Sequence, residues 1–390
     1  MKKAIFISAI VLIVMAESRG QRQANNNSLI TVDVRKSFSP KKELILQDFM
    51  DVEYIALETN DDFLNQGLVQ DIGEKIILVR NRNQDGDIFV YDRMGKAIRK
   101  INRKGQGGEE YEYLSNITLD EDNGEIFVSD IAKRKIFVYD LFGKFKRSFN
   151  QKEDSEARPY SDIFNYDKNN LICYDAEKIT FVLLSKKDGS ITKENKIPYK
   201  EKKEILHFIR DEASNGTLVT GPSGSLRKIF PYNGNWIVCE PSSDTVYTFL
   251  PDYSLRPFIV RTPSIQSMDP EVFLILRLIS DRYYFMESVK KIVSNFGANA
   301  EFPKTFFVYD KQENIFLGYI IYNGDFSTKK EIYLSTGRPV NHAIESWQPL
   351  EAYQLVESYK KGELKGKLKE IAATLDEEDN PVIMLIKHKK

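Results

Sequence analysis

The chain has 390 residues, of which 42% are hydrophobic and 29% are charged, values that are ordinary for a globular protein. Its 56 basic and 57 acidic residues leave a formal net charge of −1, so the chain as a whole has no basic field, and we expect no nucleic-acid partner. Many of its 24 phenylalanines and 20 tyrosines lie in short runs with β-branched neighbours, which favours strands. The length allows two or three ordinary domains or one large β-architecture.

The first 20 residues have the layout of a secretory signal peptide. Two lysines precede an apolar run over 4–15, and Ala16 or Gly20 offers a small residue for cleavage. This run is too short for a good transmembrane span, and no other stretch approaches the required length of about 18 apolar residues. We therefore predict export to the periplasm or the extracellular space, with no transmembrane segment in the mature chain. An N-terminal anchor or a buried strand is the alternative for 1–20. No cysteine lies near the cleavage region, so no lipid attachment site is expected.

An internal repeat follows in the next part of the chain. Residues 87–101 read DIFVYDRMGKAIRKI and residues 135–149 read KIFVYDLFGKFKRSF, and the two align without gaps at an offset of 48. Each pattern is typical of a strand, a turn closed by glycine and a second strand, which together form a β-hairpin. Weaker copies begin near residues 179, 244 and 305, and another short strand precedes several of the copies.

This repeat predicts a β-propeller, since a four-stranded antiparallel unit of about 40–50 residues is a propeller blade. Blades packed radially bury both of their faces, which explains strands that are apolar almost throughout. Solenoids and sandwiches are alternatives, but a sandwich gives no reason for the near-identity of the two copies. Six blades or seven fit the length, and longer insertions between the later copies favour six. We predict an all-β, six-bladed β-propeller of four-stranded antiparallel blades as a single domain over 41–390, after a linker over 21–40.

The glycine-rich segment RKGQGGEEYEY, residues 103–113, lies between the two best copies. A phosphate-binding loop would need a third glycine at position 110, which is glutamate, and a helix after it. The acidic residues that follow the glycines would repel phosphate. We therefore predict a loop that crosses from the outer strand of one blade to the inner strand of the next. Such loops line one face of a propeller, so four residues are candidate ligand contacts: Arg103, Gln106, Glu110 and Tyr111.

The only two cysteines, Cys173 and Cys239, each lie in an apolar run that resembles a strand. Two cysteines in a chain of this size do not make a disulfide scaffold. We favour two buried thiols, although one disulfide bond is possible.

Two segments depart from the strand pattern and predict short helical insertions. Residues 268–279 begin with an Asp-Pro helix-entry signal and then become apolar. Within 345–375, four residues recur on one helical face: Ala352, Leu355, Val356 and Tyr359. We expect both helices to cover a blade edge or a channel mouth rather than to bind a partner.

Catalytic motifs are not evident. There is no G-x-S-x-G elbow, and the histidines are few: His207, His342 and His388. His388 lies in the extreme C-terminal tail, and the other two cannot form a three-histidine metal centre. Aspartates recur after Val-Tyr, and their repetition indicates turn caps: Asp92, Asp140 and Asp310. The sequence assigns no catalytic residue and no cofactor. A Ca²⁺ site built from carboxylates and amides of several blades stays open, without a local motif.

The segment 103–149 resembles the six-bladed β-propeller proteins secreted by Gram-negative anaerobes, which are distant relatives of the NHL-repeat propellers. Their pattern is close to G-x-G-P-x-E-Y followed by a strand and a blade. Gly105, Gly107, Glu110 and Tyr111 match this pattern. Glycine stands at position 108, where that family usually has proline.

Two further segments, 51–64 and 379–389, resemble the N-terminal and C-terminal strands of the same family. The resemblance implies that residues near 52–57 share a blade with residues near 381–387 and so close the ring. It implies little about activity. We expect a secreted, non-catalytic binding scaffold for a peptide, glycan or protein partner. The alternative is a Ca²⁺-dependent hydrolase, lactonase or lyase with its site in the central channel. A structural subunit of an outer-membrane uptake assembly is a third hypothesis.

Overall fold

A computed structural model describes residues 29–154, 157–205, 207–211, 216–220, 226–292, 302–334 and 340–389, with 207–211 and 216–220 described by their backbone alone. The predicted signal peptide, 1–20, lies outside these residues. Strands dominate the described chain and form six blades in a ring. The prediction of a six-bladed β-propeller of four-stranded, mainly antiparallel blades is confirmed.

The elements follow one another as a series of short strands with few helices. The N-terminal part contains β1 (Ile30–Asp33), β2 (Lys41–Ile45), α1 (Leu46–Phe49) and β3 (Asp51–Ala56). Blade 1 contains β4 (Leu68–Ile72), β5 (Ile76–Arg80), β6 (Asp87–Asp92) and β7 (Ala97–Asn102). Blade 2 contains β8 (Asn116–Asp120), β9 (Glu125–Asp130), β10 (Lys135–Asp140) and β11 (Phe145–Asn150). Blade 3 contains β12 (Ser161–Asn165), β13 (Asn170–Asp175), β14 (Thr180–Ser185) and β15 (Ile191–Lys196).

The later blades are longer and less regular. A two-stranded sheet, β16 (His207–Asp211) and β17 (Gly216–Thr220), precedes blade 4. Blade 4 contains β18 (Ile229–Tyr232), β19 (Asn235–Val238), β20 (Thr245–Phe249) and β21 (Leu255–Thr262), and a 3-10 turn at Ile265–Ser267 follows. Blade 5 contains β22 (Val272–Ile279), β23 (Tyr283–Lys290), β24 (Lys304–Asp310) and β25 (Ile315–Tyr322). Blade 6 contains β26 (Ile344–Leu350), α2 (Ala352–Lys360), α3 (Gly366–Ala372) and β27 (Val382–Lys387).

The ring is closed by strands from both ends of the chain. In blade 6, β27 pairs with β26 on one side and antiparallel with β3 on the other, from Val382 opposite Ala56 to Lys387 opposite Asp51. This is the shared blade that the family resemblance implied. The first strands of blades 1 to 5, which are β4, β8, β12, β18 and β22, stand innermost and surround the central channel.

Two expectations do not hold. Residues 30–33 were expected to belong to a linker, yet they form β1, which pairs parallel with β21 at the outer edge of blade 4. The helix predicted over 268–279 is wrong, because most of that segment is strand β22, which is largely buried and pairs with β23. An apolar run of eight residues fits a doubly buried strand as well as a helix, and the neighbouring blades supply the second buried face.

The second helical insertion is present over a shorter range. Residues 344–350 are strand, and α2 and α3 occupy the remainder of the predicted segment. Leu355 and Leu368 pack in a core cluster that includes Phe285 of blade 5 and Met384 of blade 6. The helices therefore cover the edge between these two blades.

The turn glycines of the repeat explain why the two copies are so similar. Gly143 has a φ of 80°, and a Cβ there would lie 2.7 Å from Cγ2 of Ile101 in the outer strand of blade 1. Gly95, with a φ of 85°, approaches the carbonyl oxygen of Ala56 in the same way. Each turn thus packs against the preceding blade, where a side chain would not fit. Cys173 and Cys239 are both buried and unbonded, as predicted.

Candidate functional site

The central channel opens into one cavity at each end. We call the end where the inner strands begin the upper mouth and the end where they turn into the second strands the lower mouth. Each cavity has a volume of about 350 Å³. The upper mouth is lined by Val69, Gln70, Arg80, Ser115, Asn116, Ser129, Ile131, Tyr160, Ser161, Asp162, Leu226, Arg227 and Trp347. These residues lie in, or close to the ends of, strands of blades 1, 2, 3, 4 and 6.

A guanidinium group and a carboxylate meet at the upper mouth. Asp162 lies on β12 with a φ of 47°, and its Oδ2 accepts a hydrogen bond from the backbone N–H of Lys228 at 2.8 Å. Nη1 of Arg227 lies 3.5 Å from Oδ1 of Asp162, and its guanidinium is centred 5.3 Å from the ring of Phe164. Burial raises the pKa of Asp162, and the nearby charge of Arg227 opposes this rise.

A second guanidinium group lines the same cavity. Arg80 is 9% exposed, and its Nη1 donates a hydrogen bond to the side chain of Asn83. Among the side chains that line the upper mouth there are thus two cations and one carboxylate.

The lower mouth is rich in carboxylates, and backbone amides bond to several of them, whereas the exposed carboxylates of Glu74 and Asp122 have no hydrogen bond in the described structure. Glu121 accepts hydrogen bonds from the N–H groups of Glu74 at 2.7 Å, Lys75 at 3.0 Å and Ile76 at 3.0 Å, and so caps a turn in the adjacent blade. Asp120 is buried and pairs with Lys186 at 2.5 Å. These acidic residues hold neighbouring blades together.

Asp71 also bridges two blades at the lower mouth. Its Oδ2 accepts from the N–H of Leu119 at 2.7 Å, and its Oδ1 accepts from Ile72 at 2.8 Å. Burial raises the pKa of Asp71 to about 7, against the lowering effect of these two hydrogen bonds. The charge of Glu121 adds to the rise, and that of Arg227 reduces it.

Histidine and tryptophan complete the lower mouth. The rings of Trp236 and His342 meet edge to face at 5.3 Å. Nε2 of His388 lies 3.1 Å from Oε2 of Glu345, which is buried and whose Oε1 accepts from the N–H of Ile279. Burial acts to lower the pKa of His388, but the Glu345 carboxylate outweighs it and raises that pKa. The side chain of His207, the remaining histidine, lies outside the described part of the structure.

The glycine-rich crossing loop folds around its own side chains. Tyr111 is fully buried; its hydroxyl donates to the carbonyl of Gly86 at 2.7 Å and accepts from the N–H of Arg103 at 3.0 Å. The carboxylate of Glu110 accepts from the N–H of Gly107 at 2.8 Å, so the glycine loop encloses a carboxylate of the chain itself.

The four predicted contact residues do not line either mouth. Nε of Arg103 donates to the carbonyl of Gly143 at 2.7 Å, which ties the loop to the next blade. Gln106 is exposed at the surface of the loop. Tyr111 and Glu110 have structural contacts that explain the motif. A ligand contact from any of the four stays a prediction.

The sequence reasoning missed the residues of the upper mouth. Asn116 directly follows the crossing-loop motif, and Ser161 begins the inner strand of the next blade. The first positions of the inner strands were therefore the available signal. Arg227 could not be found from this signal, because the repeat is too divergent in blade 4 to predict where β18 begins.

The described residues contain neither a metal-binding cluster nor a long apolar helix. Within these ranges no group of three or more His, Cys, Asp or Glu side chains is placed to hold a metal ion. The helices described here include none with the length and apolar character needed to span a bilayer.

Comparison with solved structures finds other propellers and proteins from Bacteroides. A "Putative exported protein" from Bacteroides fragilis aligns with a TM-score of 0.55 and 18% identity, over 93% of this chain and 100% of that one. A member of the DUF4221 family from Bacteroides vulgatus has a TM-score of 0.47 and 10% identity, over 87% and 99%. Virginiamycin B lyase from Staphylococcus aureus has a TM-score of 0.36 and 12% identity, over 71% and 94%. Because the identity is only 18%, the alignment with the Bacteroides fragilis protein supports a shared fold alone and says nothing of function.

No match was found among curated proteins. A relation to the NHL-repeat propellers stays a prediction. A family model described as "Domain of unknown function (DUF4934)" matches residues 29–387, and the chain therefore belongs to that family.

Proposed function

We propose that this protein is an exported, non-catalytic binding scaffold whose ligand enters the upper mouth of the central channel. The observation that carries the proposal is a cavity of about 350 Å³ to which blades 1 to 4 contribute polar side chains and blade 6 contributes Trp347. Ligand sites are typically concave, occupy about 300–1,000 Å³ and contain a few convergent polar groups. Export is supported by the signal-peptide pattern of 1–20.

The polar groups of the upper mouth retain capacity for a ligand. Oδ1 of Asn116 accepts from Thr118, and the described contacts leave its Nδ2 without a protein acceptor. Ser161 is exposed, and none of the described residues bonds to its hydroxyl. At the lower mouth, by contrast, Glu121 and Asp71 are already used by backbone N–H groups of adjacent strands and turns. Groups with free donors support binding better than groups that serve the fold.

Because both native cysteines are buried, a maleimide should react only with a cysteine introduced at the surface. This allows a test that blocks one mouth at a time. Ser161 and Asn165 are exposed residues at opposite ends of β12, so Ser161→Cys and Asn165→Cys each place one reactive thiol at one mouth. Each variant is modified with a bulky maleimide. Binding of a panel of monosaccharides, sugar acids and short peptides is then measured by saturation-transfer NMR.

We expect at least one class of ligand to bind the unmodified protein and the protein blocked at Asn165→Cys. The same ligand should be lost when Ser161→Cys is blocked. Binding that survives the block at Ser161→Cys, or a panel in which nothing binds, would contradict the proposal.

The competing Ca²⁺-dependent hydrolase is tested by thermal unfolding in EDTA and then in added Ca²⁺. A cation bound only by the folded state raises the melting temperature by mass action. For a binding scaffold we expect the same melting temperature in both conditions. A rise with Ca²⁺ that chelation reverses would favour the hydrolase and justify a screen of lactones and esters.

A further inference from the structure

We infer that the upper mouth recognises a sugar acid, and that Arg227 binds its carboxylate. This inference deepens the proposed function and rests on it. Its basis is the juxtaposition of a partly used guanidinium group with hydroxyl and amide side chains in one small cavity.

Arg227 is held in place while much of its donor capacity is left over. A guanidinium group has five N–H donors, and the contact of Arg227 with Asp162 is a single long one of 3.5 Å. Its side chain is 23% exposed and lines the cavity. The ring of Phe164, 5.3 Å away, supports the guanidinium on one side. A planar group fixed in this way is suited to a carboxylate, which it can bind through two parallel hydrogen bonds.

The carboxylate next to Arg227 is already engaged by the fold. Arg80 and Arg227 both line the upper mouth, and Asp162 is the only carboxylate among its lining side chains in the described part of the chain. Asp162 is itself committed to the N–H of Lys228 and to Arg227. These contacts leave the other N–H donors of Arg227 available to a ligand carboxylate.

The rest of the lining favours a polyhydroxylated molecule. Five hydroxyl and amide side chains line the same cavity, and two of them, Ser115 and Ser129, are hydrogen-bonded to each other: Gln70, Ser115, Asn116, Ser129 and Ser161. Nε2 of Gln70 donates to backbone carbonyls, which leaves its Oε1 as an acceptor for a ligand hydroxyl. The rings of Tyr160 and Trp347 form the aromatic part of the wall. The volume of about 350 Å³ lies at the small end of ligand sites, which fits a single sugar or the end of a glycan.

The test compares D-glucuronate with D-glucose, which differ in the group that Arg227 would bind. Affinities are measured by NMR titration of the purified protein, with D-galacturonate as a second acid. We expect the acids to bind about tenfold more tightly than glucose. Arg227→Gln should reduce this preference to less than about threefold without changing the melting temperature by more than about 2 °C. Arg99→Gln, which removes an equal charge from the outer strand β7, is the matched control and should leave the preference intact.

Two further measurements keep the result clear if Arg227→Gln folds poorly. Raising the ionic strength from about 0.05 M to about 0.5 M should weaken binding of glucuronate and leave that of glucose unchanged. Arg227→Lys keeps the charge but loses the planar fork, so it should retain only part of the preference. A preference that survives Arg227→Gln, or that is lost equally in Arg99→Gln, would overturn the inference.

The failure of the inference and that of the proposed function give different results. If glucose or a short peptide protects Ser161→Cys from maleimide while both acids do not, the carboxylate inference is wrong and the binding scaffold stands. If both acids bind and protect the thiol of Asn165→Cys from maleimide, but not that of Ser161→Cys, the inference and the proposed site are both wrong. If no sugar, acid or peptide protects Ser161→Cys, the proposed function fails with it.

Discussion

Both mouths of the central channel contain charged side chains, and the two differ in what those side chains contact. At the lower mouth, Glu121 receives three backbone N–H groups and Asp71 receives two. At the upper mouth, Arg227 has one long contact, and the hydroxyl of Ser161 has no partner among the residues that the structure describes. The number of charges in a cavity is therefore a poor guide to function. The hydrogen-bonding capacity left after folding is a better one.

The largest effect is expected from Glu121→Ala at the lower mouth. The change leaves three turn N–H groups of blade 1 without their acceptor and breaks a contact between blades. Hydrogen bonds to charged groups contribute about 1.5–3 kcal/mol each in net terms. Because Glu74 and Lys75 are exposed, water replaces part of what is lost, and we expect the free energy of unfolding to fall by about 2–4 kcal/mol. Urea denaturation measures this change in the free energy of unfolding. Glucuronate binding to the folded protein should not change.

Glu74→Ala is the matched control for Glu121→Ala. Glu74 is exposed and lines the same cavity, and the structure describes no hydrogen bond or ion pair of its carboxylate. The control removes the same charge from the same mouth, and its free energy of unfolding should change by less than about 0.5 kcal/mol. Equal losses in the two variants would show that the charge of the lower mouth matters, rather than the turn cap.

Asp71→Asn should change the pH dependence of stability. Because burial raises the pKa of Asp71 to about 7, the folded state keeps this proton at pH values where the unfolded chain has released it. The free energy of unfolding therefore falls as pH rises from about 4 to about 7, and the full cost remains above that range. Since Asp71 is partly exposed, we expect this contribution to be on the order of 2 kcal/mol.

The measurement for Asp71 is urea denaturation at several pH values between about 4 and about 8. Asp71→Asn should flatten the decline. Asp252→Asn is the control: Asp252 lies on an exposed turn, and hydrogen bonds from Ser254 lower the pKa of its carboxyl. Its titration falls below the window, so it should keep the wild-type slope. An unchanged slope in Asp71→Asn would mean that the carboxyl titrates as it does in the unfolded chain.

Tyr111→Phe tests whether the crossing loop belongs to the fold or to the site. The buried hydroxyl serves the carbonyl of Gly86 and the N–H of Arg103, and its loss should cost about 1–2 kcal/mol of unfolding free energy. Glucuronate binding should not change, because Tyr111 is absent from the lining of the upper mouth. Tyr113→Phe, two residues away, removes a hydroxyl with no hydrogen bond in the described structure and should change neither quantity. Weaker binding at unchanged stability would restore the loop as a ligand contact.

The blade could be predicted from the sequence because its determinants are local. Gly95 and Gly143 must have a positive φ and must leave room for the preceding blade, so the turn residues stay similar between copies. The motif around Glu110 and Tyr111 was recognised for the same reason. Its interpretation as a ligand contact was weaker, since a loop that folds around its own carboxylate has the same composition as one that faces a ligand.

The upper mouth could not be predicted because its residues are brought together only when separate blades pack against one another. Asp162 and Arg227 are separated by 65 residues in the chain and meet across blades 3 and 4. Asp162 also has a φ of 47°, which no local glycine signals. The segment 268–279 failed for a related reason: the strand is buried on both faces by neighbouring blades, so it has no alternation that would separate it from a helix.

The smallest effect on stability, and the most direct comparison of the two mouths, is expected from Ser161→Ala and Asn165→Ala. Ser161 is the first residue of strand β12 and Asn165 is the last. Both side chains are exposed and form no hydrogen bond in the described structure. Each change should alter the free energy of unfolding by less than about 0.5 kcal/mol. Only Ser161→Ala removes a hydroxyl that faces the proposed ligand, and it should weaken glucuronate binding about threefold to tenfold, the value of one neutral hydrogen bond. Weakening by Asn165→Ala instead, measured in the same NMR titration, would place the ligand at the lower mouth, where turn-capping carboxylates would then have to act in binding as well as in folding.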